Sequence, residues 1–244
     1  MDVRVVDDVR ALARDAAAMV AGVVAERPDA LLLAATGDTP MGCYAELARM
    51  RQDRLLDPSR LRVAQLDDYL GLGEDDSRSL YAWMQRALLA PLDIERDRTI
   101  RFLSGHADPA LACRMYDADI QAAGGVDLAI LGLGLNGHLG FNEPPSSADS
   151  QTRAVSLAPE TLESNASYWR DVAVPERAVT AGMSVILSAR RVLLFVSGGR
   201  KAAILDRILR SEPDPRLPAS HLHRHGDVVV IADRDARPGG ALAA

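Results

Sequence analysis

Ala30-Leu31-Leu32-Leu33-Ala34-Ala35-Thr36-Gly37-Asp38-Thr39-Pro40 is the stretch on which the reading of the fold turns. Six apolar residues without polar alternation predict a strand buried on both faces. A small-residue turn follows, and Pro40 suits the first turn of a helix over 40–50. A strand with no polar face needs cover above and below, which is the situation of a parallel sheet with helices on both sides. Outward from this stretch the same alternation recurs. Strands are predicted at 61–66, 99–103, 127–132, 178–181, 191–197 and 227–231, and helices at 7–25, 79–89, 109–122, 159–168 and 200–209. The chain shows no internal repeat, linker or composition break, so residues 1–244 are read as one α/β domain with a mostly parallel sheet.

Composition narrows the function classes. The chain has 244 residues, 48% hydrophobic and 25% charged, with a net charge of −6. No basic block offers a nucleic-acid surface against that field. The apolar runs, such as 30–35 and 192–196, are too short to cross a bilayer, and the acidic start MDVRVVDDVR lacks the flank of a signal peptide. A cytoplasmic protein without nucleic-acid or membrane partners is expected. Cys43 and Cys113 have no metal-ligand spacing and read as buried free thiols.

In an open α/β sheet, ligands bind beyond the carboxyl ends of the strands. Four such ends are rich. Thr36, Gly37, Asp38 and Thr39 form a turn into a helix, offering backbone N–H groups and hydroxyls to an anion. Gly198-Gly199-Arg200-Lys201 repeats the arrangement. Of the 28 Lys and Arg residues only Lys201 is lysine, and it stands where a helix dipole disfavours a cation unless an anion is close. Asp67-Asp68 leaves a buried strand, where a desolvated carboxylate gains basicity. The loop Gly132-Leu133-Gly134-Leu135-Asn136-Gly137-His138 misses the spacing of a dinucleotide fingerprint. It does set His138 and Glu143 within hydrogen-bonding reach, a carboxylate-oriented imidazole suited to proton shuttling. His221, His223 and His225 in HLHRH follow Pro218-Ala219-Ser220, so a short helix is expected there, on which the rings do not converge on a metal.

The segments LDDYLGL, LGLGLNGHLGFNEP, AVTAGMSVIL and VSGGRKAAIL resemble, in order and over almost the whole chain, the glucosamine-6-phosphate deaminase/isomerase family and its relative galactosamine-6-phosphate isomerase. The resemblance implies a Rossmann-like three-layer αβα fold. It also implies conversion of a hexosamine 6-phosphate to a ketose 6-phosphate with release of ammonia, and no metal or nucleotide cofactor. By the same resemblance Asp67 is the base that moves a proton from C2 to C1. His138 opens the pyranose ring, and Glu143 orients it. Lys201 and the turn Thr36 to Thr39 hold the phosphate, with the Asp38 side chain directed outward.

Departures from the family carry their own expectations. Asn136 stands where some members have Asp, which leaves His138 relying on Glu143. Ser167 stands where well-known members have a phosphate-binding arginine, a role Arg170 could take over. Arg153 is kept but Val155 replaces a second basic residue, and the chain ends soon after its last strand. Allosteric activation is therefore not expected, and a monomer or small homo-oligomer is. A 6-phosphogluconolactonase and a non-catalytic sugar-phosphate sensor share the fold; the Asp67-Asp68-Tyr69 run and Glu143 speak against the first, and the short segment before Ala30 against the second.

Overall fold

In the computed structural model, which describes residues 1–73, 75–169 and 172–239, every residue of the strand Leu31–Ala34 is fully buried. Leu31 and Leu33 join a hydrophobic cluster on one face, and Leu32 and Ala34 join another on the opposite face. This is the period-two alternation of a strand covered on both sides. The strands in chain order are β1 (Asp2–Val6), β2 (Leu31–Ala34), β3 (Arg62–Gln65), β4 (Asp67–Tyr69), β5 (Thr99–Ile100), β6 (Leu128–Gly132), β7 (Arg153–Ser156), β8 (Arg177–Thr180), β9 (Arg191–Val196) and β10 (Val228–Asp233). Seven of them form one parallel sheet in the order β1-β10-β9-β6-β2-β3-β5.

The helices are α1 (Val9–Glu26), α2 (Asp38–Gln52), α3 (Leu80–Met84), α4 (Ala90–Leu92), α5 (Pro109–Ala122), α6 (Pro159–Trp169), α7 (Met183–Leu187) and α8 (Ala202–Arg210), with a π-helical turn joining α3 to α4. Leu12, Val20, Tyr44, Leu47 and Met84 bring α1, α2 and α3 onto the Leu32 face. Tyr116, Ile186, Leu205 and Leu222 bring α5, α7, α8 and the 3-10 helix Pro218–Arg224 onto the other. Each fully buried large side chain in these layers contributes about 1.5–3 kcal/mol relative to exposure. The chain leaves β2 toward β3 and β5 on one side, then crosses back to β6, β9 and β10 on the other. The crevice therefore opens between β2 and β6, at the carboxyl ends of both.

β1, β7 and α7 were not among the predicted elements, and two predicted strands turn out differently from the sequence reading. The segment 178–181 is a strand, but as β8 it belongs to a separate antiparallel sheet of order β4-β8-β7. Leu66 is the junction: its N–H donates to Ala34 O in the main sheet (3.2 Å) and its carbonyl accepts from Ala181 N (2.8 Å). The predicted strand 61–66 therefore breaks there, and its continuation pairs elsewhere. The strand expected at 99–103 shortens to β5, because Phe102 N donates to the Gln65 side chain (3.1 Å) instead of extending the ladder. The small sheet rests on an aromatic cluster in which Tyr69 meets Phe141 at 5.5 Å and Trp169 at 5.1 Å between ring centroids.

Candidate active site

The four strand ends meet around one cleft of about 600 Å³. Thr36, Gly37, Asp38, Thr39, Asp67, Asn136, His138 and Lys201 all line it, and Glu143 stands directly behind His138. Arg170 lies outside the described residues.

Asp67 reaches the cleft because β4 begins immediately after the Leu66 junction, and strand alternation sends Asp67 and Asp68 to opposite sides. Its carboxyl is buried, and burial, reinforced by the charge of Asp68, pushes it up to about 8. Gly140 makes room for it: at φ +57° a Cβ there would stand 3.3 Å from Asp67 Oδ2 and 2.9 Å from Thr180 Oγ1. In the same cleft, His138 Nδ1 is 3.3 Å from Glu143 Oε2 and 3.4 Å from Thr161 Oγ1. Glu143 is fixed in turn, since Asn136 Nδ2 donates to the same oxygen (2.8 Å) and Ala158 N to Oε1 (3.3 Å). Burial pushes this carboxyl up, but the His138, Thr161 and Asn136 contacts outweigh it and hold Glu143 at about 2. Asn136 Oδ1 also accepts from His138 N (3.2 Å), so an amide at this position braces both the imidazole and its carboxylate. A Cβ on Gly134 would overlap the His138 ring, so the glycine is what lets that ring lie over the loop.

Lys201 Nζ donates to Thr39 Oγ1 (3.4 Å) and so joins the β9 turn to the β2 turn. Burial lowers the lysine's proton affinity, and Asp38 and Asp233 offset this only in part. The N-cap of α2 is Gly37, which supplies no side-chain acceptor, so the first-turn N–H groups of α2 face the cleft without a cap. The second turn is less open than its sequence suggests, because Gly198 N donates to the Asp233 carboxylate (3.1 Å). Asp38 is exposed, and its carboxylate accepts from Tyr168 OH (2.9 Å), a contact across the cleft mouth.

That contact introduces what sequence reasoning missed. The helix α6 supplies Glu160, Thr161, Ser164, Asn165, Ser167 and Tyr168 to the wall of the cleft, with Tyr69 and Trp83 opposite. Asn165 Nδ2 donates to Tyr69 OH (3.0 Å), and Trp83 meets Tyr168 edge-on at 5.0 Å. The three C-terminal imidazoles turn to three different backbone carbonyls, those of Ser146, Ile208 and Ala189. Among the described residues no group of His, Cys, Asp and Glu is arranged to hold a metal ion.

Comparison with known proteins places this geometry. The family model described as glucosamine-6-phosphate isomerases/6-phosphogluconolactonase matches residues 6–230. A glucosamine-6-phosphate deaminase of Clostridium botulinum (strain Hall) is 38% identical, over 97% of this chain and 97% of its own. One of Bacillus pumilus is 40% identical, over 94% of this chain and 96% of its own. Among solved structures, a monomeric glucosamine-6-phosphate deaminase described as a missing link of the NagB superfamily superposes with a TM-score of 0.94. It is 37% identical, over 97% of this chain and 98% of that one. A 6-phosphogluconolactonase from Leishmania guyanensis, 22% identical over 100% of this chain and 99% of that one, shares the fold at a TM-score of 0.77.

Proposed function

Because this chain belongs to the glucosamine-6-phosphate isomerase/6-phosphogluconolactonase family, we propose that it deaminates and isomerises a hexosamine 6-phosphate, glucosamine 6-phosphate first, to a ketose 6-phosphate and ammonia. The observation that carries this reading is that Asp67, the His138–Glu143 pair, Lys201 and the open start of α2 meet at one cleft. A dianionic phosphate seated between Lys201 and the α2 N–H groups directs the sugar carbons inward. His138 takes the proton of the C1 hydroxyl and returns one to the ring oxygen, opening the ring. The Asp67 carboxylate then removes the C2 proton while a proton of the substrate ammonium passes to the C1 oxygen, giving a planar enolamine. Asp67 hands its proton to C1, so that C2 becomes an iminium. That iminium takes up water and expels ammonia together with its proton, which leaves the ketose. One base serves both carbons because it sits on a rigid strand and its proton affinity lies near the working pH.

The similarity to a solved deaminase described as monomeric supports a monomer or a small homo-oligomer. Two free buried cysteines, together with a diffusible phosphosugar substrate, support work in the cytoplasm. No helix of the described residues is long and apolar enough to cross a membrane.

Ammonia release measured with glucosamine 6-phosphate, galactosamine 6-phosphate and their N-acetyl forms tests the proposal. Release from glucosamine 6-phosphate is expected to be fastest and the N-acetyl forms inert; silence with both free amines sinks the reading. The ring-opening role has its own signature. The variant His138→Gln is expected to slow the closed-ring substrate about 10²-fold while an open-chain substrate is affected much less. Equal losses on both would refute the assignment.

A further inference from the structure

Asp68, next to the base, takes no part in the scheme above and does not line the cleft. It is nonetheless buried, and four donors converge on its carboxylate. These are Gln65 Nε2 (2.8 Å), Tyr69 N (2.8 Å), Leu80 N (2.9 Å) and Tyr81 N (3.4 Å). With only donors around it, the group has no acceptor toward which a proton could point, and this arrangement suits the ionised form alone. Burial raises Asp68 above the ordinary carboxylate value, and these four bonds hold that rise down.

Gln65 is fully buried and cannot turn over. Its Oε1 is held by Phe102 N (3.1 Å), so its Nε2 must face Asp68 and the main-chain carbonyl of Asp67 (2.9 Å). Tyr116 OH closes the set by donating to Gln65 O (2.6 Å). The bend between β3 and β4, from which Asp67 is aimed, is thus clamped from its back side by one amide and one carboxylate.

We infer that Asp68 is a positioning residue for the base: with Gln65 it fixes the β3–β4 bend, and its charge, set behind Asp67 and away from substrate, makes Asp67 a stronger base. This rests on the reading of Asp67 as the proton-transferring group. The other titratable groups close enough to feel Asp67 are the phenols of Tyr69 on the same strand, Tyr44 on α2 and Tyr116 on α5. All three are pushed up by burial and stay neutral at working pH, and β8 contributes only the Thr180 hydroxyl behind Gly140. His138 and Lys201 line the same cleft, and Asp68 alone adds a fixed negative charge to the effect of burial.

The test is the pH profile of kcat/KM. In Asp68→Asn the midpoint of the limb that reports deprotonation of the base is expected to move toward acid by about one pH unit, with KM for the phosphosugar little changed. Asp68→Glu, which keeps the charge, should restore most of the shift. Gln65→Met removes the amide donor but keeps the carboxylate, so it should lower kcat and leave the midpoint in place. An unmoved midpoint in Asp68→Asn overturns the inference, since a merely structural residue would lower activity without moving it.

Carbon-13 titration of aspartate carboxyls in the unmodified protein covers the case in which Asp68→Asn does not fold. The resonance lost in Asp67→Asn must titrate while Asp68 stays ionised. If Asp68 instead carries the proton that is lost last, the roles are reversed and the inference fails. A wild-type chain that releases no ammonia removes the premise about Asp67, whereas an active wild type with an unshifted Asp68→Asn profile removes only this inference.

Discussion

Replacing Asp67 with asparagine is expected to lower turnover by about 10²- to 10⁴-fold and, at the same time, to make the protein more resistant to heat at pH 8. The activity loss follows from removing a positioned base while leaving Lys201 and the α2 N–H groups, so phosphosugar binding should persist. The stability gain follows from linkage. Burial holds the Asp67 carboxyl at about 8 in the folded chain, against about 3.9 in an unfolded one. A carboxyl raised by folding favours the folded state fully below the unfolded value, and that contribution is lost as pH rises through the folded value.

The wild type therefore sheds stability between about pH 4 and pH 8, whereas asparagine has no proton to lose. A partly relaxed buried carboxylate corresponds to a difference of about 1–3 kcal/mol, or about 2–12 °C in Tm for a chain of this size. Thermal unfolding at pH 4.5 and pH 8 decides it: the two proteins should melt together at the lower pH and separate at the higher. A Tm difference that does not depend on pH would show that Asp67 is not held protonated by its site. Near wild-type turnover would remove it as the base.

The contrast between Asp67 and its neighbour also shows what a sequence can reveal. That one acid of the pair leaves a buried strand and faces a cleft is legible, because Leu61, Val63 and Leu66 mark the strand and ligands gather at strand ends. Which of the two faces inward is not, since it depends on β4 leaving the main sheet at Leu66 to pair with β8. β4, β7 and β8 pair across segments far apart in the chain, which no local pattern records, so the antiparallel sheet stayed hidden although β8 itself was visible. The glycine-rich loop was legible for the opposite reason: His138 and Glu143 lie five apart and need no long-range pairing to meet. The contribution of α6 was not, because Ser164, Asn165 and Ser167 read as an ordinary wet face until the helix is seen against the cleft. A contact such as Tyr168 to Asp38, 130 residues apart, has no local signature at all.

Lys201 is the residue for which composition and structure converge most closely, and Lys201→Met is expected to raise KM for the 6-phosphate substrate by about 10²-fold while changing kcat far less. The ammonium is half-buried, and burial works against its charge; Asp38, one of the groups that offset this, is drawn off to Tyr168 OH. A phosphate dianion between Nζ and the uncapped start of α2 would compensate both at once. Because the phosphate does not react, its contacts persist unchanged from the bound substrate to the transition state, so their loss falls on binding rather than on the chemical step. Lys201→Arg should recover only part of the affinity. A planar fork spreads its donors over a wider arc than the single point presented here to Thr39 Oγ1 at 3.4 Å. Steady-state kinetics on the three proteins separate the possibilities. A Met variant with unchanged KM would place the phosphate elsewhere and leave the chain's only lysine without a role in binding. A fall in kcat as large as the rise in KM would mean instead that the ammonium acts on the reacting carbons.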